Sequence, residues 1–124
     1  MVKAQGGEMT PNPIVHIELS AVDPHAAGRF YTNVFGWTVK PFPGSDYLTF
    51  EAAPGPGGGF NKIDDRHPRG EIIPYLQVDD IEATLKRIEA SGGKTVQGKT
   101  EIPGEGFYAL FEDPSGNHLG LFSG

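Results

Sequence analysis

Two side chains that can move protons stand two positions apart near the start of the chain. His16 and Glu18 belong to the segment 14–19, whose alternation of residue types is typical of a β-strand. Because successive strand residues point to opposite faces, we expect both side chains on one face of a sheet. An imidazole beside a carboxylate can act in general acid–base catalysis. Two structural interpretations stay open: Glu18 held in an ion pair or hydrogen bond, and His16 as a hydrogen-bonded histidine of a cavity wall.

Several other residues could line a pocket around this pair. Tyr75 stands 57 residues after Glu18 in the sequence, an offset that recurs along the chain, and we expect it to face Glu18 across a cup. The other candidates for the ligand cavity are Tyr47, Phe60, Ile73, Tyr108, His118 and Gly120. Aromatic residues in strands more often belong to a core than to a binding site, so both roles stay open for them.

Two amphipathic helices are predicted from their start and stop signals. Asp23 is an N-cap followed by proline at the first helical position, and Gly36 is a C-cap. The expected buried stripe of this helix is Ala27, Phe30, Tyr31 and Val34. The second helix begins after Asp80 and is expected to end at Gly92 and Gly93. Its expected apolar face is Ile81, Leu85 and Ile88.

Strands are predicted around both helices. They cover residues 14–19, 37–39, 47–51, 60–63, 72–78, 95–96, 107–112 and 118–123. Glycine and proline favour connections at 54–59, 98–106 and 113–116, and the polar stretch 64–71 is typical of a linker. Pro74 removes a backbone donor, so its strand is expected at an edge or at a bulge.

The two halves of the chain match at an offset of 57 residues. Asp23 falls on Asp80 at the start of each helix, and Gly36 falls on Gly93 at its end. Each half has a strand, a helix and up to three strands, and a sheet covered by a helix on one face still has to bury the other. We therefore expect one domain, 14–124, with a ligand cavity between two modules. Module one spans 14–63, the linker 64–71 and module two 72–124, after a flexible leader at 1–13.

The sequence resembles the vicinal oxygen chelate superfamily, which contains glyoxalase I, bleomycin-resistance proteins and extradiol dioxygenases. The resemblance is carried by the segments 15–18, 23–24, 30–37 (FYTNVFGW), 80–93 and 112–117 (EDPSGN). It implies an α+β fold in which two tandem βαβββ modules form a curled mixed sheet shaped as a cup, often completed by dimerisation. Neither signature is specific for a reaction.

The resemblance also implies where a metal would be held, on the first and last strands of each module. His16 matches the first position, but its counterpart in module two is Ile73. The last strand carries Gly120 where a metal enzyme has Glu, and residues 57–61 contain no His or carboxylate. Since a catalytic metal usually needs about three protein ligands, we expect no cofactor. The alternative is a divalent metal held by an atypical set.

Composition excludes some partners. The net charge is −6 with no basic cluster, which argues against a nucleic-acid partner. No apolar run approaches the 18 residues of a membrane span, and the N-terminus has no signal-peptide pattern. The sequence has no cysteine, which suits a cytoplasmic protein.

Three functions are compatible with these features. The first is a small-molecule-binding protein without the full metal site, with His16 and Glu18 as its catalytic residues if it is an enzyme. The second is a metal-dependent lyase, isomerase or dioxygenase that uses His16, Glu18 and His118. The third is a drug-sequestering protein like the bleomycin-resistance proteins. In each case we expect a homodimer, because a half-open cup leaves apolar surface and strand edges exposed.

Overall fold

A computed structural model describes residues 10–124, which form eight strands and two helices in the order β-α-β-β-β-β-α-β-β-β. The elements of the first half are β1 (Ile14–Ala21), α1 (Pro24–Phe35), β2 (Thr38–Pro41), β3 (Leu48–Glu51) and β4 (Gly57–Lys62). Those of the second half are β5 (Ile72–Gln77), α2 (Ile81–Ala90), β6 (Lys94–Ile102), β7 (Gly106–Glu112) and β8 (His118–Ser123). Residues 1–9 of the expected leader lie outside the described residues.

One mixed sheet contains all eight strands, in the order β2-β3-β4-β1-β5-β8-β7-β6. The first strand of each half pairs in parallel with the last strand of the same half, β1 with β4 and β5 with β8. The two halves join through the antiparallel pair β1–β5. The sheet is not closed into a barrel. The expected α+β fold of two βαβββ modules is confirmed.

Both helices start at the predicted aspartates. The Asp23 carboxylate accepts hydrogen bonds from the backbone N–H groups of His25 and Ala26, and Asp80 accepts from that of Ala83. Gly36 ends α1 at φ +75°, a left-handed conformation that glycine adopts without strain. The second helix ends earlier than expected, at Ala90.

Each helix covers one half of the sheet with its own core. Under α1 the buried residues are Ala21, Leu48, Phe50 and Phe60, and under α2 they are Val78, Ile81, Leu85, Ala109, Phe111 and Leu121. The expected stripe on α1 is partly wrong, because Phe30 and Val34 are more than half exposed. The face that meets the sheet is rotated towards Gly28, which lies against Val39 because it has no side chain.

Two of the expected connections are strands. The glycines at 57–59 begin β4. Neighbouring backbone and rings approach so closely that a Cβ would not fit there, which explains why these residues are glycine. The expected loop 98–106 is also wrong: β6 continues to Ile102, and only the short turn between Ile102 and Gly106 separates it from β7.

For the proline-containing strand, expected at an edge or at a bulge, the edge alternative is wrong, and its ladder with β1 shifts register between Ile14 and His16. β5 lies at the centre of the sheet, between β1 and β8. Pro74 pairs with Ile17 on one side, while the ladder to β8 begins only at Tyr75. The proline is tolerated because one side of the strand is unpaired at that residue.

Candidate functional site

The concave face of the sheet encloses a cavity of about 860 Å³. Strand alternation selects the residues that face it: His16 and Glu18 from β1, Ile73 and Tyr75 from β5, and His118 from β8 all line the cavity. This volume is within the range of small-molecule sites. The two side chains of the first strand therefore both lie in this cavity, which residues of both modules line.

Glu18 is held by three hydrogen-bond donors. Its Oε1 accepts from the Tyr75 hydroxyl at 2.8 Å and from Asn61 Nδ2 at 2.9 Å. Its Oε2 accepts from the Tyr47 hydroxyl at 2.9 Å. None of the three donors is positively charged, and together they engage both carboxylate oxygens. Tyr75 reaches Glu18 from the neighbouring strand, and not across the cup as expected.

Tyr47 and Tyr75 stay protonated in this network. Burial is the largest cause that raises the pKa of the Tyr47 and Tyr75 phenols far above the ordinary value, and the Glu18 charge and hydrogen bonds raise it further. Both hydroxyls therefore act as fixed donors to the carboxylate, since their ionised forms would face a negative charge inside the cavity.

His16 is joined to the same network through Tyr47. Its Nε2 lies 3.1 Å from the Tyr47 hydroxyl, and its ring meets the Tyr75 ring edge-on at 5.5 Å between centroids. Burial lowers the pKa of His16, although the charge of Glu18 partly opposes that shift. At neutral pH the imidazole is accordingly uncharged and able to accept a proton.

The residues present do not fit the metal site that the superfamily implies. A Cβ at Gly120, the position expected to carry a Glu ligand, would overlap the ring of Tyr75. A Cβ at Gly59, on the cup side of β4 and within the range 57–61 expected to hold another ligand, would overlap the hydroxyl and ring of Tyr47. Tyrosine rings that hold Glu18 thus occupy the space of both missing ligands, and the fourth position is the buried side chain of Ile73.

The atypical metal set is also not assembled. His118 lies on the cavity wall, where its Nδ1 is 3.5 Å from Glu71 and its Nε2 is 3.2 Å from Glu112. Glu18 and His16 contact Tyr47 and Tyr75 instead, as described above, and neither shares a contact with His118. Within residues 10–124, no three His, Cys, Asp or Glu side chains gather in a group that could hold a metal ion.

The remaining sequence candidates divide between cavity and core. Tyr108 lines the cavity, and its hydroxyl accepts a 2.8 Å hydrogen bond from Gln97. Phe60 is a correction: it is 2% exposed and packs in the core under α1. Since Gly59 and Asn61 face the cup, alternation turns Phe60 to the opposite face. Gly120 contributes only the backbone that supports the Tyr75 ring.

Sequence reasoning missed several polar residues of the cavity. Asn61 could have been found, because it follows the alternation of β4 on the side of Glu18. Arg66 and His67 come from the linker, which has no periodicity to place them, yet both line the cavity. Arg66 donates to Gln97, and His67 Nδ1 lies 3.6 Å from Glu71.

Comparison with known proteins agrees with this fold. Residues 16–122 match the model of the family described as "Glyoxalase-like domain". The chain belongs to the glyoxalase-like domain family. A glyoxylase-like domain-containing protein of Didymella fabae is 31% identical over 110 residues, which cover 82% of this chain and 85% of that protein. No helix within residues 10–124 is long and apolar enough to cross a membrane.

A second relative of this glyoxalase-like chain is considerably longer. The anthracycline biosynthesis protein DnrV of Streptomyces peucetius is 31% identical over 129 residues, covering 86% of this chain but only 45% of that protein. The chain thus spans about half the length of this relative. A glyoxalase/bleomycin resistance protein/dioxygenase superfamily member from Vibrio splendidus 12B01 superposes with a TM-score of 0.64. It is 18% identical, with 92% of this chain and all of that chain covered, and the likeness shows the fold.

Proposed function

We propose that this glyoxalase-like chain is a metal-independent binding protein whose cup takes a planar, hydroxylated aromatic small molecule. The observation that carries the proposal is the filling of two expected ligand positions by Tyr47 and Tyr75, which hold Glu18 as the polar centre of the cavity. Such a cavity has no place for a metal at its floor but keeps polar groups beside a hydrophobic wall.

The lining supports an aromatic ligand. Five aromatic side chains line the cavity from the concave face of the sheet: Phe42, Tyr47, Tyr75, Tyr108 and Phe122. Flat rings bind well between aromatic and aliphatic walls, where offset and edge-to-face contacts each contribute about 0.5–1.5 kcal/mol. The polar groups that remain available, His16 among them, suit hydroxyl groups on the rim of such a ligand.

The name of one relative supports the same ligand class. DnrV is called an anthracycline biosynthesis protein, and anthracyclines are planar polycyclic compounds with phenolic hydroxyls. Because more than half of that protein lies beyond the matched region, its role supports a ligand class for this chain and no specific reaction.

Catalysis is the second candidate function. His16 and Glu18, the two residues expected to take part, have different contacts and therefore different roles. Glu18 already accepts three hydrogen bonds, which suits it to anchor and polarise the network. His16 is uncharged and half-buried in the same cavity, which suits it to take a proton from a bound ligand. We therefore assign the base to His16 and the supporting charge to Glu18.

We further propose that the protein is a cytoplasmic homodimer. The sheet is open, and α1 carries the exposed apolar side chains of Phe30, Val34 and Phe35, which a second copy would cover. Light scattering at micromolar concentration is expected to give twice the 13.3 kDa chain mass. A monomer would contradict the dimer, and cell fractionation tests the compartment.

Calorimetric titration with the anthracycline daunorubicin and the smaller phenol 2-naphthol tests the binding function. We expect one site per chain, with binding weakened about tenfold in Tyr108→Ala because a lining ring is lost. Phe107→Ala is the matched control, since Phe107 directly precedes Tyr108 in β7 and does not line the cavity. Absence of binding by both probes, or equal weakening in the two variants, would overturn the proposal.

A further inference from the structure

The direction of the hydrogen bonds around Tyr47 constrains the proton on His16. An ionised carboxylate only accepts hydrogen bonds, so the single hydroxyl hydrogen of Tyr47 is directed to Glu18 at 2.9 Å. The hydroxyl oxygen can then only accept from His16 Nε2, which lies 3.1 Å away. It follows that Nε2 carries a hydrogen.

A neutral imidazole has one N–H group, so its other nitrogen has a free lone pair. Burial lowers the pKa of His16, which keeps the ring in this neutral form near pH 7. Among the described residues Nδ1 has no hydrogen-bond partner, and His16 lines the cavity. The free lone pair is therefore on Nδ1, the ring nitrogen that makes no hydrogen bond to the described residues.

The other histidines of the cavity differ in this respect. His118 has each ring nitrogen within 3.5 Å of a carboxylate oxygen, from Glu71 and Glu112. His67 directs its Nδ1 towards Glu71 and has that atom buried. Of the three cavity histidines, His16 is thus the one with no ring nitrogen within 4.0 Å of a carboxylate oxygen.

We propose that Tyr47 is a positioning residue: it fixes His16 as the Nε2–H tautomer and leaves Nδ1 as the acceptor that the cup offers to a hydroxyl group of its ligand. The same arrangement aligns Glu18, Tyr47 and His16 in one chain of donors and acceptors, so a proton accepted at Nδ1 is stabilised by the carboxylate at the far end. The ligand part of this proposal rests on the function proposed above, whereas the tautomer does not.

The tautomer can be measured in the ligand-free protein by long-range proton–nitrogen NMR of the imidazole rings, with His16→Gln identifying the His16 signals. We expect Nε2 protonated and Nδ1 unprotonated in the wild type. In Tyr47→Phe the two nitrogen shifts should move towards each other, as both tautomers become populated. Tyr75→Phe is the matched control, because it removes the other tyrosine donor to Glu18 and leaves the Tyr47–His16 contact in place; its pattern should be unchanged.

A wild-type ring protonated at Nδ1, or a Tyr47→Phe spectrum identical to that of the wild type, would overturn the positioning role. If Tyr47→Phe fails to fold, Glu18→Gln tests the same point: its amide can donate to Tyr47, so the Nδ1–H form should gain population, and no change would again overturn the role. Adding 2-naphthol should then shift the wild-type Nδ1 signal. Calorimetric binding without that shift contradicts Nδ1 as the contact atom, whereas no binding counts against the proposed function and leaves the tautomer result standing.

Discussion

The hydroxyl of Tyr75 donates a 2.8 Å hydrogen bond to the carboxylate of Glu18, and the two residues stand 57 positions apart, which is the offset of the internal repeat. They are therefore equivalent positions of the two modules, on the neighbouring strands β1 and β5. In this chain the pseudo-symmetric pair at the centre of the cup is a carboxylate and a phenol, joined directly by a hydrogen bond.

Loss of the Glu18 charge should destabilise the fold. In Glu18→Gln the charged carboxylate is replaced by a neutral amide, so the hydrogen bonds from Tyr75 and Asn61 lose their charged acceptor and the Tyr47 hydroxyl has to reverse its direction. Hydrogen bonds to charged groups contribute about 1.5–3 kcal/mol each, so we expect the free energy of unfolding in urea to fall by about 2 kcal/mol or more. Glu51→Gln is the control; its exposed ion pair with Lys40 should contribute less than about 1 kcal/mol. Equal losses in both variants would contradict the central role of Glu18.

Side chains added at the empty ligand positions should clash with the tyrosines. Gly120→Ala places a Cβ on the Tyr75 ring, and overpacking of this kind costs about 1–3 kcal/mol. Gly98→Ala is the matched control in a strand, because no atom lies within 4 Å of the added Cβ. Thermal unfolding of the double variant Gly120→Ala with Tyr75→Ala should reveal coupling, since the second change removes the clash. Strictly additive effects would mean that the ring does not fill this space.

Alkaline pH should unfold the protein through two tyrosines. Because folding raises the pKa of Tyr47 and Tyr75, the folded state holds protons that the unfolded chain releases above about pH 10. Their stabilisation is thus fully present below that pH and is lost as the pH rises, by up to about 1.4 kcal/mol per pH unit for each phenol. Absorbance titration should show two of the four tyrosines ionising only together with unfolding, and one in Tyr75→Phe. Four tyrosines that titrate in the folded protein would contradict the network.

His118 should hold the linker against the second module. Its ring lies between Glu71, at the end of the linker, and Glu112, at the end of β7. His118→Gln should speed amide hydrogen exchange in residues 64–71, whereas the exposed His25→Gln should not. Unchanged exchange would show that the linker is held by other contacts.

The sequence predicted most of the fold because its signals are local. Asp23 and Asp80 mark helix starts by their capping chemistry, and alternation places His16 with Glu18 and His118 with Gly120. The elements that were misplaced from the sequence depend on contacts with neighbouring strands and rings, which the sequence does not reveal. A run of glycines is typical of a loop. In β4 the residues are glycine because the Tyr47 ring and the Ile17 carbonyl occupy the space where a Cβ would lie.

The site was predictable only in part for a similar reason. The missing metal ligands were visible as Ile73 and Gly120, but the filling of the space beside Gly120 by the Tyr75 ring depends on the register between strands. Arg66 reaches the cavity from an irregular linker, where no periodicity indicates a direction, whereas Asn61 follows the alternation of β4. The sequence therefore located the cup and its central carboxylate, and the structure supplied the donors that hold it.

The central claim is that tyrosines have replaced the metal site, and metal loading tests it most directly. The purified chain is incubated with nickel, zinc, manganese or iron, freed of unbound ions and subjected to elemental analysis. We expect far less than one equivalent of any metal per chain, with no difference between wild type, His16→Gln and His25→Gln. One equivalent of metal that is retained by the wild type and by His25→Gln but lost in His16→Gln would contradict the account.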